Sequence, residues 1–179
     1  MNDKLTLTNT QINLIKQSWE KVVPIADIAS SLFYERLFET SPHLRPLFHN
    51  ADLQAQRKKL VKAINMVVVS LERIDTLLPT LKDLGMRHVA YGVEDRHYDE
   101  VGAALLWTLE AGLKDDWNEA LAEAWTRAYY IIAGVMILGA KLAPSAQADN
   151  ATQTGERNFN GSSAHAKQTA GIKPGLRVA

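Results

Sequence analysis

The chain has 179 residues, enough for one domain with an extension, and 46% of them are hydrophobic, which suffices for a single core of ordinary size. It carries 20 lysines and arginines against 20 aspartates and glutamates, so its formal net charge is zero. This balance gives no electrostatic reason to expect nucleic acid or an anionic membrane as a partner. The chain has no cysteine, which excludes disulfides, thiolate metal sites and cysteine nucleophiles.

The first residues lack the apolar core of a secretory signal. The apolar runs at 66–69 and 128–138 are too short or too interrupted to span a bilayer. We therefore expect a soluble, cytoplasmic protein with no membrane partner.

Helical periodicity dominates residues 1–142, and strand-like alternation is nearly absent, which predicts an all-α domain. Thr8 and Gln11 have the spacing of a capping box, in which each side chain satisfies the other residue's free amide. Ile28 is expected on the inner face of the second helix. After the first helix, the pattern predicts helices at about 27–40, 42–48 and 53–73.

In the second half of the domain the pattern predicts three more helices. The first spans about 76–91, the second follows Asp95 as its cap, and the third spans about 119–142. Gly92 is well placed as a left-handed residue after the first of these helices. A loop is expected at 112–118. From Pro144 onward the sequence is rich in Ala, Gln, Asn, Gly, Ser and Thr without apolar periodicity, so we interpret 143–179 as a disordered tail that follows a domain at 1–142.

Four polar residues interrupt the predicted inner faces: Tyr34, Gln56, His88 and Tyr98. They could bond to one another or to the backbone, as buried polar side chains normally do. They could instead line a cofactor pocket, since neutral imidazole is a good iron ligand. No other metal-ligating residue lies at ligand spacing from His88, and a flat macrocycle that supplies the remaining bonds to iron would explain this.

The other histidines give weaker signals. His43 and His49 lie among polar neighbours and are expected to be solvated, and His97 faces away from the side of its helix that carries Tyr98. A protein-ligated zinc site would need three or four convergent ligands, which this spacing does not offer. Neither a Gly-rich phosphate loop nor a Ser/His/Asp arrangement can be recognised.

Several short stretches, in this order and spacing, resemble the globin family, in particular the bacterial single-domain globins that are similar to the haem domain of flavohaemoglobins. The resemblance covers about residues 5–142 and implies a globin fold, with helices packed around a haem pocket. Phe38, with Pro42 and Phe48, resembles the aromatic wedge against the haem. The other stretches that carry the resemblance are 14–19, 32–38, 85–88, 97–102 and 124–129.

The resemblance implies a role for each matched residue. His88 would be the ligand to the iron of haem b, with Tyr98 beside it. Tyr34 and Gln56 would donate hydrogen bonds to bound oxygen; alignment of the loop after Phe48 leaves Ala55 as an alternative to Gln56. The remaining matches would be Phe48, which stacks on the haem, Leu60, which lies over the iron, and Lys59 and Arg87, which pair with the haem propionates.

Two departures from the flavohaemoglobin pattern affect function. A glutamate late in the last helix of those proteins pairs with the proximal histidine and tyrosine, and Ala140 occupies its position here. Its absence argues against strong activation of oxygen. The chain also contains no dinucleotide-binding fingerprint, so enzymatic turnover would need a separate reductase.

Three functions remain open at this point. The first is reversible binding of oxygen, and also of carbon monoxide and nitric oxide, for oxygen transport or storage. The second is a nitric oxide dioxygenase that depends on a partner reductase. The third is a helical interaction domain without a cofactor, which would require every matched position to be a coincidence of core packing.

Overall fold

The computed structural model of the protein describes residues 6–142. Within this range it contains α-helices and short 3₁₀ segments but no strand, which confirms the all-α prediction. The predicted tail at 143–179 lies outside the described residues. The helices are α1 (Asn9–Val22), α2 (Ala26–Thr40), α3 (Leu53–Val69), α4 (Leu78–Ala90), α5 (Asp95–Leu113) and α6 (Glu119–Lys141).

The first helix is fixed by its cap and by two tryptophans. The Thr8 amide donates to the Gln11 side chain at 3.0 Å and the Gln11 amide donates to the Thr8 hydroxyl at 3.2 Å, which confirms the predicted capping box. Trp125 of α6 donates through Nε1 to the Ser18 hydroxyl at 3.0 Å. Its ring centroid lies 6.2 Å from that of Trp19, so α1 and α6 share one aromatic core.

The inner face of α2 differs from the prediction at Ile28, which is 70% exposed. The buried apolar residues of this helix are instead Ala29, Phe33, Tyr34, Leu37 and Phe38. These positions follow the three- and four-residue spacing of one helix face, and Ile28 lies outside that spacing. The short segment that follows, Pro42–Phe48, is a 3₁₀ helix.

The third helix is shorter than the sequence indicates. It ends at Val69 instead of continuing to 73, and Leu71–Leu77 forms a 3₁₀ segment in which Arg73 leaves helical geometry. Three consecutive valines weaken the end of α3, since β-branched side chains lose rotamer freedom in a helix. Pro79 lies in the first turn of α4, where its fixed φ suits a helix start, so α4 begins at Leu78 and not at 76.

The start and end of α5 also differ from the predicted positions. Glu94, not Asp95, is the residue before the first helical position, and the Glu94 amide donates to Nδ1 of His97 at 3.0 Å. The helix continues through Gly112 to Leu113, so the predicted loop at 112–118 is shorter and includes a 3₁₀ turn at Lys114–Asp116. Gly92, between α4 and α5, has φ of 80°, as predicted for a left-handed residue after a helix.

The last helix packs against α1, α4 and α5. By length and composition alone α6 could cross a membrane, which the interrupted apolar run did not predict. Its inner face is nevertheless part of the protein core, with Trp125, Ile131 and Met136 buried. We therefore interpret α6 as a core helix.

Two glycines bring α4 and α6 into backbone contact. A Cβ atom on Gly85 of α4 would overlap the Met136 backbone of α6, and one on Gly139 of α6 would overlap the Lys82 backbone of α4. His88 lies one turn beyond Gly85. The position of this histidine therefore depends on a helix contact that tolerates no side chain.

The Gly85→Ala substitution should lower the free energy of unfolding by about 1–3 kcal/mol, the usual cost of forcing extra volume into a packed contact. The matched control is Gly134→Ala in α6, where an added Cβ meets nothing within 4 Å. That variant should be neutral or gain about 0.5–1 kcal/mol from better helix propensity. Urea unfolding monitored by circular dichroism measures both, and equal effects would contradict the proposed contact.

Candidate functional site

The candidate haem site lies between α3 and α4. The third helix packs mainly against α1 and α2, whereas α4 packs mainly against α6. Gln56 and Leu60 belong to α3, and His88 belongs to α4. The predicted ligand-side residues and the predicted iron ligand therefore lie on two helices that pack on different parts of the core.

His88 has one ring nitrogen engaged by the backbone. Its Nδ1–H donates to the Leu84 carbonyl oxygen, one turn earlier in α4, at 2.8 Å. Burial lowers the pKa of His88, while the Leu84 carbonyl acts in the opposite direction. The imidazole is therefore neutral near pH 7, and its Nε2 lone pair is available to a metal.

Tyr98 stacks beside His88 on the proximal side. Their ring centroids are 6.2 Å apart with planes at 25°. The Tyr98 hydroxyl is buried and has no hydrogen-bond partner among residues 6–142, and burial raises the pKa of this phenol. A buried orphan hydroxyl is unusual, and no carboxylate within residues 6–142 accepts a hydrogen bond from it.

Tyr34 is the predicted hydrogen-bond donor on the opposite side. It is buried among aromatic rings, with centroid distances of 5.7 Å to Phe48 and 5.9 Å to Phe38. Burial raises the pKa of Tyr34 to about 12, and the positive charge of Arg57 partly opposes this shift. The phenol is therefore protonated at neutral pH and can donate a hydrogen bond.

The two predicted pocket residues of α3 are half-buried. Leu60 packs against the aromatic cluster of Tyr34 and also lines, with Phe33 and Ile64, an apolar cavity of about 20 Å³. Gln56 has no side-chain hydrogen bond with any residue that the structure describes. The amide of Gln56 is thus available to a ligand, and Leu60 supplies the apolar surface one turn further along.

No contact within the described range links the predicted propionate partners, Lys59 and Arg87, to the other site residues. Lys59 and Arg87 are both exposed, and neither forms an ion pair within the described range. Their roles stay predictions. The structure adds two residues that the sequence analysis missed, the Leu84 carbonyl and Arg57; the first could have been inferred from its position four residues before His88.

His43 is exposed, as predicted for a solvated side chain, and it connects two elements at the rim of the site. Its Nε2 lies 3.1 Å and 3.0 Å from the two carboxylate oxygens of Glu100 in α5. Hydrogen bonding from Ser41, and then from His43, lowers the pKa of Glu100. The 3₁₀ segment that carries Phe48 is thereby tied to the helix that carries Tyr98.

The remaining histidines stay outside the site. His97 is buried at the start of α5 and its ring centroid lies 6.0 Å from that of His43, while His49 is exposed. Among residues 6–142 no three His, Asp or Glu side chains converge as a metal site. A haem brings four nitrogen ligands of its own, so it needs only one histidine from the protein. His88 has a free ring nitrogen, the buried Tyr98 hydroxyl beside it has no partner within residues 6–142, and the Tyr34 phenol of α2 is a protonated donor. These features fit a haem.

Comparison with known proteins identifies the family. The family model described as Globin matches residues 31–136. The chain belongs to the globin family. Its all-α architecture is accordingly a globin fold, as the resemblance predicted, and family membership supports haem-based binding of diatomic gases.

The relatives of this globin include bacterial and plant proteins. It is 28% identical to a flavohemoprotein of Bacillus subtilis over 73% of the chain and 33% of that protein, and 32% identical to leghemoglobin-1 of Lupinus luteus over 69% of the chain and 88% of that protein. The chain thus spans about a third of the flavohemoproteins that it matches. The solved structure of a bacterial globin from Campylobacter jejuni matches 75% of the chain and 96% of its own length, with 29% identity and a TM-score of 0.67.

Introducing at position 140 the carboxylate that the flavohaemoglobin pattern has there should strengthen the proximal ligand. With haem bound, Ala140→Glu is expected to raise the iron–histidine stretching frequency of the ferrous protein, because a charged acceptor makes an imidazole more electron-donating than a carbonyl does. Resonance Raman spectroscopy measures this frequency. Ala140→Gln is the control without charge, and an equal shift in both variants would rule out the electrostatic explanation.

Proposed function

We propose that this globin reversibly binds oxygen, and also carbon monoxide and nitric oxide, at a haem b held by His88. The observation that carries the proposal is the state of His88: its Nδ1 is engaged by Leu84, its imidazole is neutral, and its Nε2 is free for a metal. When bound, haem supplies the iron to which a diatomic ligand attaches. Transport or storage of oxygen would follow from such binding.

The chain's own residues would then control the ligand. The Tyr34 hydroxyl and the Gln56 amide would donate hydrogen bonds to an oxygen ligand that carries partial negative charge, and preorganised donors in a dry pocket are stronger than donors in water. Phe48 would pack on the face of the macrocycle. Leu60 would exclude water from the same space. Two donors at one ligand favour slow oxygen release.

The first experiment is the visible absorption spectrum of protein purified with haem supplied, in the ferric, ferrous, oxygen and carbon monoxide forms. We expect an intense Soret band that shifts with each ligand and that is lost or strongly altered in His88→Ala, since that substitution removes the only proposed protein ligand to iron. His49→Ala is the control, because His49 is exposed. A folded wild-type protein that takes up no haem would overturn the proposal.

Removing the Tyr34 hydroxyl should speed oxygen release. Tyr34→Phe is expected to raise the oxygen dissociation rate at least about tenfold, the equivalent of a lost hydrogen bond of about 1.4 kcal/mol. Stopped-flow replacement of oxygen by carbon monoxide measures the rate. Tyr130→Phe changes a tyrosine that is 51% exposed and should leave release unchanged. If the two variants behave alike, Tyr34 has no part in holding the ligand.

A second candidate is nitric oxide dioxygenase activity with a separate reductase. It is favoured by similarity to flavohemoproteins over 73% of the chain and by the protonated donor at Tyr34. The orphan hydroxyl of Tyr98 argues against it, since no carboxylate within residues 6–142 accepts a hydrogen bond from this phenol. Nitrate formation from oxygen and nitric oxide, measured over many turnovers with an added flavin reductase, would favour the enzyme over reversible binding.

A further inference from the structure

We propose that Arg57 makes the distal pocket selective for small inorganic anions over neutral ligands when the haem iron is ferric. The ligand class is a monovalent anion such as azide or nitrite. This inference rests on the proposed haem site at His88. It concerns a residue to which neither the resemblance nor the proposed function gives a role.

The first argument is the position of Arg57 in α3. It directly follows Gln56 and precedes Leu60 by three residues, so its side chain lies beside that of Leu60 on the helix surface. Leu60 packs against the aromatic cluster of Tyr34 and Phe38, at the interface of α3 with α2. The side chain of Arg57 therefore leaves α3 at the boundary between the core and the proposed distal pocket.

The second argument is the missing partner. The Nε atom of Arg57 is buried and has no hydrogen-bond acceptor within residues 6–142, and no carboxylate in that range forms an ion pair with this arginine. A buried donor without an acceptor costs about 1–3 kcal/mol, and a bound ion is one of the explanations for such a group in a native structure. A guanidinium keeps its charge at every relevant pH and presents its N–H donors in a planar fork that suits anions.

The third argument is electrostatic coupling to the pocket. Arg57 is the one charged group whose field lowers the pKa of Tyr34 against the effect of burial, among the residues that the structure describes. The cluster around Tyr34 is otherwise apolar, and three of its rings, those of Phe33, Phe38 and Phe48, contact the Tyr34 ring. In such low-dielectric surroundings a charge acts over a longer range than in water, and the same field would attract an anion next to the Tyr34 hydroxyl.

The test compares an anionic with a neutral ligand in four proteins with haem bound: wild type, Arg57→Met, Arg57→Lys and Arg45→Met. Arg45 is the matched control, because it is exposed and lies 4.7 Å over the ring of Phe38 in the same cluster. Azide affinity is measured by spectral titration of the ferric proteins. Carbon monoxide association is measured by flash photolysis of the ferrous proteins.

We expect Arg57→Met to weaken azide binding about tenfold or more, as a unit charge at intermediate range would, with carbon monoxide association changed less than about twofold. Arg57→Lys should retain most of the azide affinity, and Arg45→Met should match wild type. If Arg57→Met does not fold, Arg57→Gln takes its place.

Other results would overturn the inference. Unchanged azide affinity in Arg57→Met would mean that the guanidinium is directed to solvent. Equal losses for azide and carbon monoxide would indicate a general change in pocket shape. Faster transfer of haem to apomyoglobin with unchanged azide binding would assign Arg57 to a propionate. Failure of the wild-type protein to take up haem would instead refute the proposed function, so the two failures are distinguishable.

Discussion

The contact between α4 and α6 is the constraint on which the site depends. Gly85 and Gly139 allow the two backbones to touch, and this fixes α4 at a set distance from the core. α4 packs mainly on α6, and α3 packs mainly on α1 and α2, so the two helices that carry the predicted site residues are each positioned by a different part of the core.

The proximal and distal sides of this site suit reversible binding better than activation of oxygen. On the proximal side the acceptor for His88 is a neutral carbonyl, and the Tyr98 hydroxyl beside it is left without a partner. An imidazole bonded to a carbonyl donates less charge to iron than one bonded to a carboxylate. On the distal side Tyr34 is a protonated donor surrounded by aromatic rings. These features support the proposed reversible binding over activation of oxygen.

Local signals in the sequence predicted the parts of the fold that local interactions decide. The Thr8–Gln11 capping box and the left-handed Gly92 are examples, because each depends on a few neighbouring residues. Helix ends that depend on competing effects were placed wrongly: α3 ends at Val69, after a valine run, although the apolar periodicity continues, and Pro79 moves the start of α4 to Leu78.

The candidate site shows the same division. The prediction that His88 binds iron comes from its surroundings in the sequence, but the missing partners of Tyr98 and Arg57 could not be predicted, since they depend on side chains from several helices. The link between His43 and Glu100 has a further consequence. It joins the segment of Phe48 to the helix of Tyr98 across the rim of the site, through groups that haem does not need to touch. This link would hold both walls of the site in place without contacting the cofactor, so it would reduce the chain entropy lost when haem binds, and a preorganised rim of this kind favours affinity without any added contact to the cofactor.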